Sequence, residues 1–512
     1  MKKEAACAIP MRARSTLGTE VRSVAAGVRS VVWSIAGSDS GAGAGLQADL
    51  KALLAFGVHG CTAVAAITAQ NSVAVTCVDP VSAELLDAQL AALAQDMPPS
   101  AIKTGLLGSV DNVRVVCQWV DRLRENAGAK GLSMALVVDP VLGATTGTSF
   151  AGDALVQAYV QELLPRATLV TPNRAEAERL GLRVGQVQGA GQPAVVITGG
   201  DDATTHGLAS DWFSSPQVSG WLSLLRVDTP HHHGTGCTFA STAAAALASG
   251  YCVADAVVLA KMATTHALRH AYAAGQGAGP VQAMPDFAQH ANNLPWLQAQ
   301  PGAQTAFADL SNPALGVYAV VDSAAWVRRV LASGIRIVQL RIKDPAEPTL
   351  AAQIAQSIAI ARSTPGAQLF INDHWQLALQ HGAYGVHLGQ EDLGTVDLKA
   401  LRDSGVRLGL STHSYWEVAR AWALRPSYIA CGPIFATQSK DMPWIPQGLD
   451  NLRYWAHVLP LPVVGIAGID ARNVADVAST GAASAAVISA ITQAADPEAA
   501  CKVLMLGFET TS

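Results

Sequence analysis

Ile335-Arg336-Ile337-Val338-Gln339-Leu340 is an apolar β-type run, and Arg341-Ile342-Lys343 follows it with two cations. Side chains alternate between the faces of a strand, so Gln339, Arg341 and Lys343 are expected to point the same way. Seven similar runs lie around it, at 317–321, 369–371, 385–388, 407–410, 428–431, 463–466 and 485–488, with helical patterns between them. Eight βα units in roughly 200 residues is the smallest common size for a (β/α)8 TIM barrel. Polar residues gather just beyond the runs: Arg341 and Lys343, Asn372 and Asp373, Gln390 and Asp392, Ser411, Lys440, Gly468 and Ser489. Barrel active sites sit on that C-terminal rim. Scattered surface polar residues would not track strand ends in this way.

The rim has a phosphate chemistry. Arginine offers a planar fork and lysine a point charge, and together they suit a pyrophosphate. Asp373 and Asp392 come from adjacent strand ends, an arrangement that suits Mg2+ bridged to substrate phosphates. Gly432-Pro433-Ile434-Phe435-Ala436-Thr437-Gln438-Ser439-Lys440 adds the hydroxyls of Thr437 and Ser439, the Gln438 amide and a third cation. Gly468 and Ile488-Ser489 follow the last two runs, where barrels often bind phosphate through backbone N–H groups.

The first half alternates in the same manner. Its runs fall at 31–36, 63–67, 101–104, 136–138, 169–171 and 194–198, with helical patterns such as 84–95 and 175–180. Many runs are apolar throughout, as strands covered on both faces are, so this half is a second α/β domain. Gly275-Gln276-Gly277-Ala278-Gly279-Pro280 interrupts the pattern, and a stretch rich in Gln, Ala, Asn and Pro follows. The reading is a first domain at 30–275, a linker at 276–311 and a barrel at 312–512. Residues 1–29 carry Arg12, Arg14, Arg22 and Arg29. They read as a disordered extension in preference to an Arg-rich targeting segment.

Length and composition agree. A chain of 512 residues exceeds one ordinary core. Half its residues are hydrophobic and 14% are charged, with a formal net charge of −5, which gives no electrostatic pull toward nucleic acid. The eight cysteines form no C-x-x-C pair, which fits reduced thiols in a cytoplasm. No run is apolar and long enough to suggest a membrane span.

In the first domain, residues 36–45 form a Gly-rich turn before a helix that carries Gln47, Asp49 and Lys51. A structural turn and a ligand loop both fit it, and it has neither dinucleotide nor P-loop spacing. His233-Gly234-Thr235-Gly236-Cys237-Thr238 is stronger. Gly234 and Gly236 open a long helix whose free N–H groups converge on an anion, as phosphoryl transfer requires. Cys237 sits at the same helix start, where a thiol pKa tends to fall; a small buried helix residue is the alternative. Asn173 and Glu176 offer oxygen ligands to a magnesium–phosphate complex, or else an ordinary helix start.

Taken together, these residues resemble the ribokinase-like superfamily, and within it the hydroxymethylpyrimidine (phosphate) kinases of thiamin biosynthesis. The motifs are 36–51, Ala69-Gln70-Asn71, Lys103-Thr104-Gly105-Leu106-Leu107, Val138-Asp139-Pro140-Val141, Thr171-Pro172-Asn173-Arg174-Ala175-Glu176 and 233–238. The resemblance implies a three-layer α/β/α fold and ATP as co-substrate. It makes Gln70, Asp49 and the Ala44 backbone pyrimidine contacts, places Asp139, Asn173 and Glu176 on the nucleotide–metal side, and gives Cys237 a catalytic place. Thr198 stands where that family usually has a phosphate-binding lysine; His232 or His233 is a candidate substitute.

The second half resembles thiamin phosphate synthase, through 338–344, Ile371-Asn372-Asp373, 385–393, Ser411-Thr412-His413, 432–440, Gly468 and Ile488-Ser489. The implied reaction joins hydroxymethylpyrimidine diphosphate to thiazole phosphate and releases pyrophosphate, with Arg341, Lys343 and Lys440 assisting departure and Asp373 and Asp392 holding Mg2+. Gln339, Asn372, Ser411, Thr437, Gln438, Ser439, Gly468, Ile488 and Ser489 are the expected substrate contacts. The combined expectation is a bifunctional enzyme of small molecules, homo-oligomeric by resemblance, with no nucleic acid or membrane partner. Rival readings make the first half a pyridoxal-type kinase, a sugar kinase or a non-catalytic module.

Overall fold

The computed structural model describes residues 29–143, 151–200, 207–302, 304–436 and 446–509. The expected contacts Thr437, Gln438, Ser439 and Lys440, and nearly all of the N-terminal extension, lie outside the described residues. The chain divides into two compact units that part between Gly302 and Ala303.

The first unit is built on one sheet. Its strands are β1 (Val31–Asp39), β2 (His59–Gln70), β3 (Val75–Pro80), β4 (Ala101–Thr104), β5 (Ala135–Val138), β6 (Leu169–Val170), β7 (Ala194–Ile197), β8 (Leu208–Ser214), β9 (Ser219–Leu225) and β10 (Trp296–Gln298). Their order is β10-β9-β8-β7-β6-β5-β4-β1-β2-β3. The middle, from β7 through β1 to β2, is parallel. Antiparallel strands finish both ends. Trp33, Ile35, Ile102, Leu136 and Val138 pack against Leu86, Leu90, Val113, Val116 and Val120 of the helices Ala83–Asp96 and Val110–Gly128. The helix Thr235–Ala248 lies on β4 and β5. Its alanines and Ser241 are small and keep the helix close to the sheet. The result is the three-layer α/β/α arrangement expected for this half.

The stretch read as a linker is divided. Residues up to Gly302 belong to the first unit. Phe287, Leu294 and Leu297 are buried, and β10 adds to the sheet edge beside β9. Asp286 accepts from His266 Nε2 at 3.1 Å and His290 Nε2 at 3.4 Å, which fastens this segment to the helix Val253–Arg269. The polar composition of the stretch concealed a few apolar anchors, which are enough to dock it.

The second unit is a closed parallel barrel of β11 (Gly316–Val321), β12 (Ile337–Leu340), β13 (Gln368–Asn372), β14 (Gly385–Leu388), β15 (Arg407–Thr412), β16 (Tyr428–Cys431), β17 (Val463–Ile466) and β18 (Ser484–Val487). Each strand matches one expected run to within two residues at either end. Tyr318, Val320, Ile337, Phe370, Tyr428, Ala430, Val464 and Ala486 fill the interior. Gly409 makes room for this filling, because a Cβ there would lie 2.1 Å from the Tyr428 ring. One expectation changes: β12 ends at Leu340, so Arg341 and Lys343 belong to the following loop rather than to the strand. Arg341 N–H still reaches Val321 O at 2.7 Å, which anchors the loop's first residue.

Candidate active sites

In the first unit, the sheet delivers a buried charge network to the start of the helix Thr235–Ala248. Lys103, on β4, and Asp49 have no side-chain exposure. The Lys103 ammonium donates to both Asp49 oxygens at 2.9 Å and lies 3.7 Å from Asp139. Asp49 also accepts from Ser34 Oγ at 2.5 Å and Ser241 Oγ at 2.8 Å. Burial pushes the Asp139 carboxyl up to about 6, against the pull of Lys103. Burial likewise pushes the Cys237 thiol up to about 12, opposed by Lys103. This reverses the expectation from helix position, because desolvation outweighs the helix terminus.

The Gly-rich turn is a real cradle. Asp39 Oδ1 accepts from Gly41 N–H at 2.8 Å, and Oδ2 from Gly43 at 3.0 Å and Ala44 at 2.8 Å. Burial works against ionising Asp39, but His233 and these N–H groups hold it below its ordinary value. His233 Nε2 lies 3.2 Å from both Asp39 and Gln70 Nε2. Gly234 has φ +86, and a Cβ there would meet Gly43 O at 2.1 Å, so this contact between turn and helix start requires glycine. Gly236, one residue inside the helix, is exposed.

On the other side, Asn173 and Glu176 form a capping box: Glu176 N–H to Asn173 Oδ1 is 2.9 Å and Asn173 N–H to Glu176 Oε2 is 3.0 Å. Burial, then Asp139, push the Glu176 carboxyl up to about 7. Thr198 pairs with Asn173 across a parallel bridge. The sequence therefore brings Asp139, Asn173, Glu176 and Thr198 to neighbouring strand ends. Arg174 is also there, with Nη2 3.8 Å from the position of a Cβ on Gly199.

On the barrel rim, Asp373 has a left-handed backbone, φ +60, and its N–H donates to His387 O at 3.0 Å. Burial, then the facing Asp392, push its carboxyl up to about 6, with Arg341 opposing. Asp392 Oδ2 accepts from Gly389 N–H at 2.9 Å. Two facing carboxylates, one of them raised by the other, fit a divalent cation. Asn372 is buried beside them, Arg341 is half-buried and Lys343 exposed. Ser411 is reached by His387 Nε2 at 2.8 Å, and Gln390 Nε2 donates to its carbonyl at 2.9 Å. Gly468 follows β17, and Ile488-Ser489 follow β18.

Both units match known families. The phosphomethylpyrimidine kinase model matches residues 39–282, and the thiamine monophosphate synthase model residues 317–491. A probable thiamine biosynthetic bifunctional enzyme, chloroplastic, of Oryza sativa subsp. japonica is 34% identical over 496 residues, 91% of this chain and 87% of that protein. The chain belongs to the bifunctional thiamine biosynthetic enzymes. A thiamine-phosphate synthase of Enterobacter sp. (strain 638) is 52% identical over 192 residues, 37% of this chain and 90% of its own. A solved Bacillus subtilis pyridoxal kinase in complex with ADP is 31% identical, covering 50% of this chain and 97% of that one, with a TM-score of 0.44.

As a member of this family, the chain joins an ATP-using phosphomethylpyrimidine kinase to a thiamine-phosphate synthase. The non-catalytic and sugar-kinase readings of the first half fall away. Two of the expected pyrimidine contacts already have partners within the protein. Asp49 has no side-chain exposure and bonds to Lys103, Ser34 and Ser241. The Ala44 N–H is bonded to Asp39 and its carbonyl accepts from Ala48 N–H. Lys103 was quoted within a motif but given no role. Its signal was a lysine in an otherwise buried strand, which needs an acid partner. Among the described helices of this bifunctional enzyme, none is long and apolar enough to cross a membrane.

Proposed function

We propose that the first unit phosphorylates hydroxymethylpyrimidine phosphate, and more slowly the free alcohol, with Mg-ATP. The second unit then condenses the diphosphate with thiazole phosphate. The observation that carries the reading is the pairing of two separate constellations in a chain matched along most of its length by one bifunctional relative.

In the kinase, Gly234 and Gly236 present backbone N–H groups to the transferring phosphoryl group. Gln70 and His233 line the acceptor side. Asp139, Asn173, Glu176 and Thr198 form the nucleotide side, where raised acids fit a divalent cation that would neutralise phosphate charge. Arg174 stands beside Gly199, next to Thr198, and is a candidate cation in place of the missing lysine. Cys237 is protonated near neutral pH. A phosphate acceptor suits that state, because a phosphomonoester is largely dianionic above a second pKa of about 6 and needs no base.

In the synthase, Arg341, Lys343 and Lys440 grip the diphosphate at the rim. Asp373 and Asp392 would hold Mg2+, which supplies charge neutralisation to the departing group. Gln339 and Ser411, deeper in the barrel, contact the pyrimidine ring; Asn372, Thr437, Gln438 and Ser439 are further substrate contacts. Gly468, Ile488 and Ser489 hold the thiazole phosphate. The C–O bond to the diphosphate breaks with its electron pair leaving on pyrophosphate. The thiazole nitrogen then gives its lone pair to the methylene carbon. No proton moves, so no general base is required.

The chain is read as a cytoplasmic homo-oligomer; its seven described cysteines are all free. Full-length protein given ATP, hydroxymethylpyrimidine phosphate and thiazole phosphate should yield thiamin phosphate, ADP and pyrophosphate. Absence of thiamin phosphate would overturn the proposal.

A further inference from the structure

A chain of buried polar groups runs through the barrel interior and ends at Ser411. Gln339 Nε2 donates to Tyr318 OH at 3.4 Å. Tyr318 OH lies 2.8 Å from Tyr428 OH, which lies 2.7 Å from His387 Nδ1. His387 Nε2 lies 2.8 Å from Ser411 Oγ. Tyr318, Tyr428, His387 and Gln339 are at most 5% exposed. They stand inside an otherwise apolar filling, where an unmade hydrogen bond costs more than in water.

Each hydroxyl has one proton to give, and a neutral imidazole has one donor and one acceptor nitrogen. The chain therefore has a direction. If Gln339 donates to Tyr318, Tyr318 donates to Tyr428 and Tyr428 donates to Nδ1. The imidazole proton then sits on Nε2 and goes to Ser411 Oγ. The Ser411 proton is left for the substrate. At the other end, Gln339 Oε1 is left to accept from the substrate. Turning the Gln339 amide reverses every link, and Ser411 becomes an acceptor.

We propose that this relay locks Gln339 as acceptor and Ser411 as donor, and so selects a pyrimidine edge that carries an amine beside an unprotonated ring nitrogen. A pyrimidinone edge, with an oxo group beside a ring N–H, demands the opposite direction. His387, Tyr428 and Tyr318 are thus positioning residues that act through Ser411 and Gln339. The proposal rests on the reading of those two residues as ring contacts.

The test uses full-length protein and two probes, the aminopyrimidine diphosphate and its pyrimidinone analogue, with thiazole phosphate. Wild type should prefer the amine in kcat/KM. Ser411→Ala should cut that preference by about tenfold, the worth of one hydrogen bond. Tyr428→Phe should cut it to a similar extent, with KM for thiazole phosphate unchanged. In the double variant the second change should add nothing further. If Ser411→Ala leaves the preference intact, the ring-contact reading fails. If Ser411→Ala lowers it but Tyr428→Phe does not, or the two effects multiply, the relay fails. Should Tyr428→Phe not fold, the imidazole 15N spectrum of wild-type protein decides, with His387→Gln used to assign the signal. An Nε2–H tautomer supports the relay and an Nδ1–H tautomer overturns it.

Discussion

The two sites dispose of charge in opposite ways. The kinase unit answers its deepest charges internally: the Lys103 ammonium is spanned by Asp49, with Asp139 close by. The barrel leaves Asp373 and Asp392 facing one another at its rim, so that Asp373 resists ionisation beside Asp392. A network sealed under a site serves architecture and positioning. A pair left unbalanced at a rim waits for a ligand. The difference separates residues whose loss should damage a fold from residues whose loss should stop a reaction.

Lys103→Met should therefore have the largest effect. It strands Asp49 in the interior, and breaking a buried pair costs about 3–5 kcal/mol. Urea unfolding should show the first unit destabilised and kinase activity lost, with condensation from supplied diphosphate retained. A small stability change would show that the network is less dry than its burial indicates. Asp373→Asn comes next. It should lower condensation on the order of 100-fold, as removal of a group that stabilises developing charge does. ATP turnover should be spared, and any Mg2+-induced rise in the barrel's melting temperature should disappear. Joint loss of both activities would erase the contrast between the sites.

A smaller effect concerns pH. With the Cys237 thiol pushed up to about 12, its basic form is scarce at neutral pH and grows as pH rises. The rate with the alcohol acceptor should climb steadily from pH 7 to 9. The rate with the phosphate acceptor should stay level once that phosphate is dianionic, above a pKa of about 6. Parallel profiles would contradict this division. Smallest of all, Thr198→Lys should lower KM for ATP by about fivefold, in line with roughly 1 kcal/mol from one added charge-assisted contact. No change would leave Arg174 as a sufficient cation.

The sequence was most legible where periodicity and chemistry coincide. The eight barrel runs stood out because each is apolar and stops at polar residues, and all eight are strands. In the first half the parallel centre was equally plain, but β3, β8, β9 and β10 were not. β8 and β9 mix serine, aspartate and tryptophan with their apolar residues, so they lack the unbroken apolar run of the parallel strands. Lys103 drew no role and Asp49 was read as a pyrimidine contact, because their partnership spans 54 positions and only the fold reveals it. The Tyr318–Tyr428–His387 relay was hidden for the same reason. The expected pKa of Cys237 failed because helix position can be read from a sequence, whereas desolvation cannot.

The central claim is that the chain holds two self-sufficient sites for consecutive steps. The most direct test gives full-length protein the pyrimidine diphosphate and thiazole phosphate with Mg2+ and no ATP. The account predicts thiamin phosphate and pyrophosphate at the rate seen when ATP is present. Product formation that still required ATP would contradict it.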